Sequence, residues 1–160
     1  MGKLGRRQTL RLAAGVLIAT TTAPSNSLAA LATTPRQAMG PFYPLTLPLD
    51  DDNDLVHVQG QPRAALGIHT NVFGVVRDTT GQPSNDALIE IWQCDAHGTY
   101  HHRHERAHAP RDAGFQAYGT FRTGADGAYR FLTITPVAYP GRAPHIHFAA
   151  QTDGRKLFTQ

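Results

Sequence analysis

Beyond residue 60 the apolar, β-branched and aromatic residues gather into four short runs, Ile68–Arg77, Ala87–Asp95, Ala128–Thr135 and His145–Gln151, each of strand length. Turn chemistry separates them: Thr80-Gly81-Gln82-Pro83, Ala96-His97-Gly98, Gly124-Ala125-Asp126-Gly127 and Pro140-Gly141-Arg142-Ala143-Pro144. No segment after residue 32 keeps a helical period over ten or more residues, and no internal repeat is visible. The pattern predicts an all-β fold, a β-sandwich of mixed or antiparallel strands. Ahead of it, Thr33–Arg63 is rich in Pro and Asp and predicts an extended N-terminal arm lying on the domain.

Composition narrows this further. The chain has 160 residues, 41% of them hydrophobic, enough for one core, placed at residues 33–160. With 11 Pro, 15 Gly and 17% charged residues it excludes a coiled coil or helical bundle. The formal charge of +3 is front-loaded, because four of the 15 basic residues and none of the 12 acidic ones lie within residues 1–32. The remainder is near neutral and lacks the basic patch that nucleic-acid binding needs.

Met1–Ala32 reads as an export signal, with the pair Arg6-Arg7, the apolar run Leu12–Ala19 and small residues around Ala30-Leu31-Ala32. Arg6-Arg7-Gln8-Thr9-Leu10-Arg11 resembles a twin-arginine motif, with Thr9 where Phe is usual. The apolar run is too short to span a bilayer, so the expectation is a periplasmic or extracellular protein with no stable membrane anchor. Cleavage after Ala29, Ala30 or Ala32 is equally compatible. Cys94 is the single cysteine, so no internal disulfide can form, and it reads as a small buried apolar residue.

Candidate chemistry concentrates late in the chain. In His145-Ile146-His147 the imidazoles at i and i+2 project from one face of a strand, which suits either a bidentate metal site or an exposed polar face. A second cluster, His97, His101, His102, His104 and His108, has no defined metal spacing and reads as a solvated loop. Glu90 is the only carboxylate in the interior of a predicted strand, and an ion pair accounts for it. No G-x-S-x-G and no P-loop occurs.

Several motifs together resemble the intradiol ring-cleavage dioxygenase family, the non-haem iron enzymes of the protocatechuate 3,4-dioxygenase and catechol 1,2-dioxygenase type. They are Thr34–Pro44, ending in Gly40-Pro41-Phe42-Tyr43-Pro44; Gly74–Asp78 with Gly81-Gln82-Pro83; and Ala87–Asp95, leading through Gly98 to Tyr100. Asp126–Phe131, Thr133–Pro136, Tyr139-Pro140, Arg142 and His145–Phe148 follow in the same order. The resemblance implies Fe(III) held by Tyr100, Tyr139, His145 and His147. Phenolates suit a hard trivalent ion whose charge keeps them deprotonated, and two phenolates plus hydroxide leave the centre near neutral.

The same resemblance implies a small aromatic diol and O2 as partners and a cis,cis-muconate-type diacid as product. Tyr139 is then the axial ligand opposite His147 that the substrate displaces, with Tyr100 and His145 equatorial. Arg142 stabilises charge developing on the ring. Tyr43 is expected to wall the substrate cleft, Gln160 to lie near the site, Trp92 to be core, and Tyr118 and Tyr129 to be structural. Against that family the chain stops early, so a C-terminally shortened domain is expected, and its oligomer state stays open. The rival readings are a non-catalytic exported β-sandwich and a His-rich metal-binding protein.

Overall fold

The computed structural model describes residues 31–48, 50–106 and 109–160. The proposed export signal therefore falls outside the described residues up to residue 30, as does His108 of the His-rich tract. Six strands form: β1 (His69–Val75), β2 (Leu88–Trp92), β3 (Tyr118–Arg122), β4 (Ala128–Ile134), β5 (His147–Thr152) and β6 (Arg155–Thr159). None of the described residues is helical, and no helix among them is long and apolar enough to cross a membrane. The all-β expectation holds.

β1 and β4 pair antiparallel as one sheet, and the second has the order β3-β2-β5-β6, also antiparallel throughout. Because side chains alternate along each strand, the four-stranded sheet presents two distinct faces. Ile89, Ile91, Phe121, Phe148 and Ala150 point toward the two-stranded sheet and pack with Phe131, Val72 and Tyr129 into the main core. The opposite face carries Glu90, Trp92, Tyr118, His147, Ala149 and Phe158, set side by side by the strand register. An outer sheet face is ordinarily wet. Here Trp92, Tyr118, His147 and Ala149 are all buried, so something covers them.

The cover comes partly from the N-terminal arm. Its first part is extended and crosses β6, where the Gln37 amide donates to Phe158 O at 2.9 Å. Its second part departs from the expected surface-lying arm. Asp54 bridges to Leu132, the Leu55 amide donates to Leu132 O at 2.8 Å, and the Gln116 amide donates to Leu55 O at 2.9 Å. Leu55 and Val56 are fully buried within the main core. An acidic run hides a piece of core because its backbone is paired on both sides, which the polar composition around it does not reveal.

Strand limits differ from expectation chiefly at two places. The run His145–Gln151 becomes a strand only from His147, since the Pro140–Pro144 loop still governs His145 and Ile146. β3 and β6 were not among the four expected strands. β6 returns from β5 through Asp153-Gly154, with Thr152 paired to Arg155, the two-residue Asp-Gly connection typical of a tight hairpin.

Candidate metal centre

Register places the first histidine. Trp92 and His147 are directly paired across β2 and β5, and their rings stack with centroids 4.9 Å apart and planes 5° from parallel. His145, two residues earlier, projects to the same side, and its Nε2 lies 3.2 Å from Nε2 of His147. His145 Nδ1 is 2.6 Å from Ala143 O; a carbonyl can only accept, so that nitrogen holds the proton and Nε2 is left with its lone pair. Two imidazole nitrogens at 3.2 Å are spaced like neighbouring ligands of one ion at ordinary metal–nitrogen bond lengths. Burial, followed by the nearness of His145 and Arg142, pushes His147 down to about 4, so its ring is neutral at ordinary pH.

Tyr100 arrives on the loop that follows β2. The carboxylate of Asp95, which is fully buried, organises that loop: Oδ1 accepts from the His97 and Thr99 amides at 2.9 and 3.0 Å, and Oδ2 from the Asp112 amide at 3.0 Å. The phenol of Tyr100 is buried, and its Oη has no hydrogen-bond partner among the described residues, as is also true of His147 Nδ1. Burial, then the neighbouring Tyr139, drives the Tyr100 phenol far above its ordinary pKa. A buried hydroxyl left without a partner is costly unless something else engages it, and a bound cation would both engage it and favour its anion.

Tyr139 comes from the opposite loop. Tyr139-Pro140-Gly141-Arg142 closes as a turn in which the Arg142 amide donates to Tyr139 O at 2.9 Å, and Gly141 supplies the positive φ of 79°. The ring of Tyr139 is only half-buried and lies 5.2 Å from Tyr100 and 5.4 Å from His145, centroid to centroid. Tyr100 and His147 are 6.3 Å apart by the same measure. The structure thus brings the four donors named from the sequence into one cluster. The same turn points the guanidinium of Arg142 to Gln160, whose Oε1 accepts from Nη2 at 3.0 Å.

Tyr43 goes elsewhere. Its hydroxyl donates to Glu90 Oε1 at 2.7 Å and accepts from Lys156 Nζ at 2.9 Å, while its ring meets Trp92 edge-on at 5.0 Å. Tyr118 also donates to Glu90 Oε1, at 2.6 Å, and Lys156 pairs with Oε2. The expected ion pair of Glu90 is present, and Tyr43 belongs to it rather than to the four-donor cluster. The arm residues that do reach the cluster are its neighbours: Phe42 stacks on Tyr100 at 4.5 Å, and Gly40, with φ 79°, lies against the His147 ring.

The described histidines of the tract, His97, His101, His102 and His104, form no group of three. Among the described residues no group of three or more His, Cys, Asp or Glu side chains could hold a metal. His97 is exposed, whereas His102 is buried beside Phe42. Cys94 is buried, and desolvation, then the charge of Asp95, pushes its thiol up to about 11, which suits packing and not reactivity. Sequence reasoning missed Asp95, Phe42 and Gly40 as supports of the site. Asp95-x-x-Gly98-x-Tyr100, an Asx-type turn leading to an aromatic residue, is the signal that could have found the first.

The fold is that of the all-β intradiol dioxygenases. The dioxygenase domain of a carbohydrate-binding fusion protein from Streptomyces sp. SirexAA-E superposes with TM-score 0.60 at 34% identity, over 80% of this chain and 73% of that one. An intradiol ring-cleavage dioxygenase from Tetranychus urticae gives TM-score 0.60 at 27% identity, over 78% and 61%. The family model described as Dioxygenase matches residues 38–160, and the chain belongs to that family. Among curated proteins, the protocatechuate 3,4-dioxygenase beta chain of Burkholderia cepacia is 42% identical over 71% of this chain and 51% of its own length. Catechol 1,2-dioxygenase 1 of Acinetobacter lwoffii is 31% identical over 79% and 45%. The chain spans about half the length of these curated relatives.

Proposed function

We propose that the protein is an iron-dependent dioxygenase that opens a catechol-type ring between its two hydroxyl-bearing carbons, placing both atoms of O2 in a cis,cis-muconate-type diacid. The observation that carries this is the convergence of two phenols and two imidazoles on one covered sheet face. Tyr100, Tyr139, His145 and His147 would hold Fe(III). When bound, that ion supplies the Lewis acidity that makes an electron-rich catecholate open to attack by O2.

The chain's own residues divide the remaining work. Tyr100 is buried under Phe42, whereas Tyr139 sits half-buried on a turn, which makes Tyr139 the donor better placed to give way to substrate. Held as a phenolate by the bound ion, Tyr139 would be the group able to take a proton from an incoming catechol hydroxyl. Arg142, exposed and oriented by Gln160, offers a fixed positive charge to the ring edge. Trp92 stacks on the His147 ring and Gly40 lies against its Cε1 edge, and together they restrict how the ring can turn. The export signal read at Met1–Ala32 supports, within the same proposal, a site of action outside the cytoplasm.

The test is the visible spectrum and iron content of the purified protein, followed by oxygen uptake with catechol, protocatechuate and hydroxyquinol. A charge-transfer band of ferric tyrosinate, near one iron per chain and diacid formation with one of these diols support the reading. A protein that stays colourless and iron-free after ferric reconstitution overturns it.

A further inference from the structure

The outer sheet face carries a second buried polar cluster that the chemistry above does not use. Glu90, 3% exposed, stands at the centre of the four-stranded sheet. It accepts from Tyr43 of the arm at 2.7 Å and from Tyr118 of β3 at 2.6 Å, and it pairs with Lys156 of β6. Lys156 reaches it across β5, where the small Ala149 stands opposite Glu90, and its ammonium also donates to the Tyr43 hydroxyl at 2.9 Å. Three strands and the arm are thus joined at one carboxylate. A buried ion pair gives little net stability, so its value lies in what it orients.

What it orients is the arm. Tyr43 is fastened here, and Gln37 is fastened to Phe158 O at 2.9 Å. The residues strung between these two anchors are the ones over the metal-binding side chains. A Cβ on Gly40 would lie 3.2 Å from His147 Cε1, and Phe42 stacks on Tyr100. Tyr43 also braces Trp92 edge-on at 5.0 Å, and Trp92 in turn stacks on His147. No residue of the cluster is among the four donors, yet two contact routes lead from it to them.

We propose that Glu90, Lys156, Tyr43 and Tyr118 form a latch that fastens the arm over the metal centre and sets the His147 ring and the Tyr100 phenol for the ion. They are positioning residues, and the proposal rests on the metal-centre reading above. Tyr43→Phe keeps the ring on Trp92 and removes only the hydroxyl; Lys156→Met removes the cation and Lys156→Arg keeps it. Two quantities are read: hydrogen exchange of the Gln37 amide and its neighbours in metal-free protein, and the rate at which ferric iron is lost from loaded protein to a chelator.

In Tyr43→Phe and Lys156→Met, exchange in the arm should rise about tenfold, as expected for losing a hydrogen bond to a charged group. Iron loss should accelerate by about tenfold, the usual effect of removing an outer support of a metal ligand. The melting temperature of Tyr43→Phe should hold to within a few degrees, whereas Lys156→Met, which leaves Glu90 buried without its cation, should melt earlier; Lys156→Arg should restore the melt and both rates toward wild type. Unchanged arm exchange in Tyr43→Phe overturns the latch. A loosened arm with unchanged iron loss overturns its hold on the metal ligands. If the wild type takes up no iron, the ferric reading falls, and the exchange measurement still decides whether the cluster fastens the arm.

Discussion

His145 and His147 turn their Nε2 atoms to within 3.2 Å of each other, although only His147 lies in a strand. Without a metal ion both nitrogens cannot be protonated at that distance. The folded-state pKa of His147, about 4, lies below the ordinary 6.5, so between those values the unfolded chain binds more protons than the folded one. Stability from this residue is therefore complete above pH 6.5 and is lost as pH falls toward 4. The shift sets an upper bound of about 3 kcal/mol. Urea unfolding of metal-free protein at pH 7 and pH 4 measures it, and His147→Phe, which cannot take up a proton, should flatten the difference. An equally steep loss in that variant would place the acid sensitivity elsewhere.

Gly40 is constrained twice, by its positive φ and by the His147 ring beneath it. Gly40→Ala should cost about 1 kcal/mol through backbone conformation alone. Its methyl group must also displace the His147 ring, so metal affinity should fall more than thermal stability does. Calorimetric metal titration beside a thermal melt separates the two effects. A variant that melts early yet binds iron normally would show that the ring tolerates the methyl group.

The sequence made the centre of this site readable because its signals are local. His-x-His follows the two-residue period of extended chain, and that period survives even though the strand starts only at His147. Bringing in Tyr100 and Tyr139 needed the family resemblance, since they enter on loops 39 residues apart, and only the fold shows that they meet. β3 escaped notice because Gly119 interrupts Tyr118–Arg122. That glycine is required by packing, as a Cβ there would collide with Asp52 O of the arm. β6 escaped because Arg155-Lys156 opens it with two charges, and Lys156 turns inward only because Glu90 awaits it. Tyr43 was expected to wall the cleft, and the same ion pair draws it into a different network.

Asp95 should be the most sensitive residue that is not itself a donor. Asp95→Ala strands three buried or half-buried amides, those of His97, Thr99 and Asp112, and should destabilise the chain by roughly 2–4 kcal/mol. Asp95→Asn can keep one acceptor toward His97 and Thr99 but sets an NH2 group against the Asp112 amide, so it should fall between alanine and wild type. Chemical denaturation gives the order. Near-ultraviolet circular dichroism of Tyr100 should weaken in the same order, and a full signal in Asp95→Ala would mean that the loop holds Tyr100 without it.

Arg142 is placed to act on substrate because its only side-chain partner among the described residues is Gln160, at 3.0 Å, and both residues are exposed. Truncating it removes a charge and no core, so Arg142→Ala should leave the melting temperature and the iron spectrum as they are. Ring cleavage should nevertheless slow, with kcat falling by about a hundredfold if the guanidinium stabilises charge that develops during reaction. Gln160→Ala should lower kcat less, because Arg142 keeps its charge and loses only its aim. The two losses should be non-additive in the double variant, since the glutamine acts through the arginine. Additive losses would mean that Gln160 meets the substrate independently, and a rise in KM with kcat preserved would recast Arg142 as a binding group rather than one that acts in the transition state.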